Sequence, residues 1–136
     1  MTQLSHNERK NKQQKFPIHI LCDAIRTPEN IGMCFRVAES FGVEKMYLHE
    51  SSPFIENRKV VKTARNTINQ IECEFYSDFD EKITTLKQLG YTIIGIEITD
   101  KSIEIQDFDF KNLKKIALIL GSERNGISNS SLADAT

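Results

Sequence analysis

An open α/β fold, with a mostly parallel sheet and helices on both faces, is what this sequence predicts. Three observations carry that expectation. Short apolar runs alternate with segments of helical spacing, the signature of right-handed βαβ crossovers. Two of the runs, YTIIGIEI (91–98) and KIALILG (115–121), are rich in Ile and Leu and almost uniformly apolar, as strands buried on both faces are. The length, 136 residues, suits one domain whose core buries roughly two thirds of the unfolded surface.

Taken in order, FPIHILCD (16–23) is an apolar run closed by Asp23 and punctuated by RTPEN, so it reads as the first strand and its loop. A helix follows from Asn30, whose side chain suits an N-cap. At 100° per residue, Ile31, Met33, Cys34, Phe35, Val37, Ala38 and Phe41 fall on an arc of about 200°, so most of this helix is expected to be buried. Gly32, Arg36, Glu39 and Ser40 fill the remaining face. Gly32 sits one turn before Arg36 and leaves bare backbone beside the guanidinium. Two readings stand side by side there: a ligand on that bare patch, or a solvated arginine near Glu39.

VEKMYLHE (43–50) reads as the second strand, with a loop around Ser51, Ser52 and Pro53. A short basic helix is expected near 57–66, and IECEFY (71–76) alternates as a third strand. In DFDEKITTLKQLG (78–90), Asp78 is the expected N-cap and Gly90 the stop. Runs 91–98 and 115–121 complete the sheet.

Composition bounds the function. Hydrophobic residues are 39% and charged residues 27%, and no apolar run approaches the roughly 18 residues needed to cross a bilayer. The N-terminus has no apolar h-region, so the cytoplasm is the expected location. Cys22, Cys34 and Cys73 lack C-x-x-C spacing and His6, His19 and His49 lack metal-ligand spacing, so neither a disulfide framework nor a metal is expected. Net charge is −1, but residues 1–65 hold eleven Lys/Arg against seven Asp/Glu while residues 66–136 hold seven against twelve. Two basic clusters account for the imbalance. One contains Arg9, Lys10, Lys12 and Lys15; the other contains Arg58, Lys59, Lys62 and Arg65. Such clusters neutralise phosphates, and equally form ordinary solvated surface.

LILGSERNGIS (118–128) places two glycines, an acid, a base and an amide at the carboxyl end of a buried strand, where ligands of open α/β sheets bind. Gly121 is expected to let a ligand approach the backbone, and Gly126 to permit a tight turn. Neither G-x-G-x-x-G nor a P-loop occurs, so a pyrophosphate is not the expected ligand.

These residues carry a resemblance. NIGMCFRVAESFGV (30–43) resembles the first motif of the SpoU-type RNA 2′-O-ribose methyltransferases of the SPOUT superfamily, Asn-x-Gly-x-x-x-Arg-x-Ala-x-x-Phe-Gly. LILGSERNGIS resembles their second, Leu-x-x-Gly-x-Glu-x-x-Gly-x-Ser. The resemblance covers Phe16 to the C-terminus and implies S-adenosylmethionine-dependent methyl transfer to a ribose 2′-hydroxyl of tRNA or rRNA. It also implies a homodimer and a C-terminal trefoil knot. Arg36 then matches the catalytic arginine, Asn30 the first-motif asparagine and Glu123 the second-motif acid. Leu120 and Gly121 match the cofactor loop, with Ile96 and Glu97 at the end of the preceding strand lining the same pocket. Arg9, Lys10, Arg58, Lys59, Lys62 and Arg65 are the candidates for RNA contact. Arg is a poor base, so Arg36 is read as a cation that steadies a developing alkoxide or grips the adjacent phosphate, with base action as the lesser option.

The same resemblance places a third motif, an Ile-Pro-Met strand and a Ser-x-Asn-Val helix, directly after LADAT. The sequence ends at Thr136. Residues 16–136 are therefore read as a C-terminally incomplete methyltransferase domain behind a basic tail at 1–15, and robust catalysis is not expected of these residues alone. A non-catalytic RNA-binding module on the same fold is the competing reading. Only the tail precedes the domain, which favours tRNA over rRNA as the partner.

Overall fold

The computed structural model of the chain describes residues 1–2 and 14–127. Five strands form one sheet: β1 (Phe16–Cys22), β2 (Val43–His49), β3 (Glu72–Tyr76), β4 (Thr92–Ile96) and β5 (Ile116–Leu120). Their order is β3-β2-β1-β5-β4, and each neighbouring pair is parallel. Helices α1 (Pro28–Ser40), α2 (Arg58–Ala64) and α3 (Phe79–Gln88) lie in the connections after β1, β2 and β3. All five expected strands are present in the expected sequence order. β3 ends at Tyr76 as expected, and the other four stop one or two residues early at their carboxyl ends, where Asp23, Glu50, Glu97 and Gly121 leave the ladder to begin loops.

Successive side chains of a strand point to opposite faces, and here both faces are covered. Ile20 and Cys22 of β1 join Met46 and Leu48 of β2 beneath Ile31, Phe35 and Ala38 of α1 and Val60 and Ala64 of α2. On the other face Leu21, Tyr47, Ala117 and Ile119 pack with Ile83 and Leu86 of α3. Asp78 caps α3 by accepting from the Glu81 amide at 3.0 Å, and Gly90 ends the helix at φ +91°, as the sequence implied.

Three expectations are corrected. First, α1 begins at Pro28 with Thr27 as its N-cap residue, so Asn30 lies inside the first turn and its side chain is released from capping. The fixed φ of proline suits a helix's first turn. Second, α1 is not buried over the whole apolar arc: Met33 is 46%, Val37 50% and Phe41 71% exposed. The helix instead buries its Gly32 side, because α2 crosses there. A Cβ built on Gly32 lies 2.6 Å from Thr63 Cβ and 2.8 Å from the Val60 carbonyl oxygen, so the bare backbone admits a neighbouring helix and leaves no room for a ligand. Third, β4 is an edge strand, and its Ile96 is 55% exposed despite the apolar sequence around it.

Candidate functional site

β1 and β5 are adjacent and parallel, in register from Ile18 opposite Ile116 to Cys22 opposite Leu120, so their carboxyl ends open side by side. From β1 the chain runs through Asp23 to Thr27 into α1. From β5 it enters a tight turn in which Ser122 and Gly126 exchange backbone hydrogen bonds of 3.0 and 2.9 Å. Gly126 has φ +59°, so the turn needs the freedom expected of that glycine. Gly121 serves a different purpose from the one the sequence suggested. A Cβ there falls 2.2 Å from the Gly126 carbonyl carbon and 2.4 Å from the Ile127 nitrogen, so the space is filled by the returning turn itself.

The turn aims Glu123 at the start of α1. Its carboxylate accepts from Asn30 Nδ2 at 2.9 Å and from the backbone amides of Thr27 and Arg26 at 3.2 and 3.3 Å. Burial opposes ionisation of this carboxyl, but the donors from Asn30, its own backbone amide, Arg26 and Thr27 together outweigh it and hold the pKa at about 2. The amino-terminal end of a helix adds to the preference for an anion there. The structure thus joins two motif residues 93 positions apart in the sequence.

Glu97 and Ile96 flank the same turn. Glu97 accepts from the Ile127 amide at 3.1 Å and from its own neighbour Ile98 at 3.0 Å, and these two bonds lower its pKa. Its carboxylate therefore clamps the glycine turn to the end of β4. Ile96, in register with Leu120, presents apolar surface at the end of β4, and Ile98 just beyond it is 94% exposed.

Arg36 lies half-buried on α1, six residues beyond Asn30 and thus about 9 Å further along the helix axis. It is not among the donors to Glu123. Arg58, Lys59, Lys62 and Arg65 are all exposed on or just after α2, whose Val60 and Ala64 face the core. Arg65 adopts φ 58°, ψ −126°, a conformation natural to glycine. Arg9 and Lys10 lie outside the described residues, as does Ser128 at the end of the second motif.

The backbone amides of Arg26 and Thr27 were not foreseen as partners of Glu123. Pro28 was the available signal, since a proline in the first helical turn fixes where the preceding loop ends. Among the described residues no group of three or more His, Cys, Asp and Glu is placed to hold a metal. No described helix is long and apolar enough to cross a membrane. Cys22, Cys34 and Cys73 are free thiols, and burial pushes Cys73 up to about 11.

Residues 17–136 match the profile of the SpoU rRNA Methylase family. An uncharacterized tRNA/rRNA methyltransferase of Synechocystis sp. is 26% identical over 121 residues, covering 89% of this chain and 31% of that protein. The 23S rRNA (guanosine-2′-O-)-methyltransferase RlmB of Blochmanniella floridana is 26% identical over 118 residues, 87% of this chain and 45% of that one. The chain therefore spans less than half the length of either relative. Among solved structures, the AdoMet-bound rRNA methyltransferase from Sinorhizobium meliloti superposes with a TM-score of 0.80 at 19% identity, covering 90% of this chain and 46% of that chain.

Proposed function

The chain belongs to the SpoU rRNA Methylase family, and from that premise we propose that it methylates RNA, placing a methyl group from S-adenosylmethionine on a ribose 2′-hydroxyl. One observation carries the reading: Asn30 and Glu123, from the two motifs, meet at 2.9 Å where the carboxyl ends of β1 and β5 open together. The ribose as target is supported by the guanosine-2′-O activity in the name of the Blochmanniella relative.

The residues at these strand ends suit the proposed donor. Ile96 and Ile98 offer exposed apolar surface for a nucleoside, beside the end of β5 with which Ile96 is in register at Leu120. S-adenosylmethionine supplies an electrophilic methyl on a sulfonium cation. Glu123, ionised at any physiological pH, locks the turn against α1 and so fixes the loop that holds the donor relative to the helix that carries Arg36. Arg36 acts as a positioned cation on the ribose hydroxyl as it loses its proton, or on the phosphate beside it. Such positioning of two reactants supplies much of the acceleration in a transfer that needs no covalent intermediate.

tRNA is the RNA we favour, and a second copy of the chain is the protein partner. The exposed Met33, Val37 and Phe41, one turn apart along α1, support a helix face that another copy covers. Two measurements test the reading. Calorimetric titration with S-adenosylmethionine is expected to show binding that Gly121→Ala abolishes. In a methylation assay on tRNA, Arg36→Lys is expected to keep donor affinity while turnover falls about a hundredfold, because the planar fork is lost though the charge remains. Salt-sensitive RNA binding without donor affinity identifies a non-catalytic RNA-binding module instead. Undiminished methylation by Arg36→Lys removes that residue from the mechanism.

A further inference from the structure

Beside the Glu123 turn lies a cleft of about 630 Å³ that none of the residues assigned above explains. One wall is Arg26 of the β1–α1 loop; the other is the β2–α2 loop, with Glu50, Ser52, Phe54, Glu56 and Asn57. The volume falls within the range of small-ligand sites.

Its walls have a definite chemistry. Phe54 is 66% exposed and tilts against Phe75 with ring centroids 6.1 Å apart, so the ring is braced by a neighbour while keeping surface free to stack. Glu50 and Glu56 bring two carboxylates. Ser52 is only 4% exposed, yet its hydroxyl has no hydrogen-bond partner among the described residues. Buried hydroxyls are normally paired, so this one is an exception, enclosed behind the surface of the β2–α2 loop.

We infer that this cleft receives a guanine base of the RNA. The inference rests on the RNA-methylation reading and adds to it the base and the residues that read it. Two carboxylates disfavour a phosphate in the cleft itself. They do suit a Watson–Crick edge that offers adjacent N–H donors, and guanine alone provides them in N1–H and the exocyclic amine. Adenine and cytosine turn a ring nitrogen acceptor towards the same carboxylate, and uracil has a single donor between two acceptors. Arg26 and Asn57 supply donors for guanine O6. Phe54 supplies the stacking face that single-stranded RNA recognition uses.

The placement fits the chemistry next door. Arg26 belongs to both places: it lines the cleft, and its backbone amide donates to Glu123 at 3.3 Å. Beyond Asn57 the chain continues directly into Arg58 and Lys59, both exposed, in position for the phosphates that flank the base.

Fluorescence anisotropy with short labelled oligouridines tests this on the full chain, comparing a central guanosine with inosine, adenosine and uridine. The guanosine oligomer is expected to bind about tenfold more tightly than the uridine one. Inosine, which lacks the exocyclic amine, is expected to lose most of that preference. F54A and the double variant E50Q/E56Q should bind all four oligomers alike while retaining salt-sensitive affinity, with thermal melts close to the parent's because all three residues are exposed. Equal binding of the four oligomers by the parent overturns the guanine cleft but leaves the methylation reading standing. A preference that survives F54A and E50Q/E56Q moves base reading to other residues and overturns it too. No RNA binding at any salt concentration overturns the cleft and the methylation reading together.

Discussion

Glu123 is the residue in which acidity and architecture meet. Its carboxyl titrates near 2 rather than in the ordinary carboxylate range near 4.5, so the stability it contributes is complete above pH 4.5 and is lost as pH falls towards 2. Glu123→Gln is therefore expected to lower stability by about 1 kcal/mol at pH 7, a figure reduced for solvent screening at this exposed carboxylate. Urea melts of parent and variant should converge as pH approaches 2; a constant gap across that range contradicts the linkage. His19 works in the opposite direction of charge. It is 7% exposed between the hydroxyls of Tyr47 at 3.1 Å and Tyr91 at 3.0 Å, and burial lowers its pKa despite Glu44 at 3.4 Å. The folded state therefore prefers the neutral ring. Stability should be full above pH 6.5 and decline on acidification below it, and His19→Gln should flatten that decline. Arg65 is strained at φ 58°, so Arg65→Gly is expected to stabilise the fold by about 1 kcal/mol while weakening RNA binding. The sequence marks Asn30 both as a candidate N-cap and as the first-motif asparagine, and Glu123 as the second-motif acid, but it does not join them, because local preference cannot register a partner 93 residues away.

Among the elements, the α1–α2 crossing is the most sensitive to a small change. Gly32→Ala places a methyl 2.6 Å from Thr63 Cβ and 2.8 Å from a backbone oxygen of α2, so the helices must separate. A loss of about 1 to 3 kcal/mol is expected, read as a lower urea midpoint. The strands and helices were legible because apolar period reports secondary structure directly. Which face a neighbour covers was not. The arc from Ile31 to Phe41 is apolar, but only the approach of α2 decides that Gly32 is enclosed while Met33 and Val37 stay open. Likewise the Ile-rich composition of β4 does not reveal that topology places it at the sheet's edge. Gly121 illustrates the same limit at a turn. Its need for a missing Cβ was readable, whereas the identity of the group filling that space, the turn's own backbone, required the three-dimensional arrangement.

For the whole molecule, the open side of α1 is where association is expected to act. Replacing Val37 and Phe41 with lysine leaves the core intact, since both are at least half exposed. If a second copy covers this face, sedimentation should show the parent as a dimer and the double variant as a monomer; identical behaviour assigns the face elsewhere. The parallel sheet has another consequence, one of timing. β5 lies between β1 and β4 although it is the last in sequence of the five described strands. A growing polypeptide can pair β1 with β2 and β2 with β3 early, but the slot beside β1 fills only when β5 arrives, and pairings that distant are slow to close. Until then Asn30 has no Glu123 to meet, so a chain synthesised only as far as β4 lacks the contact on which the proposed chemistry rests.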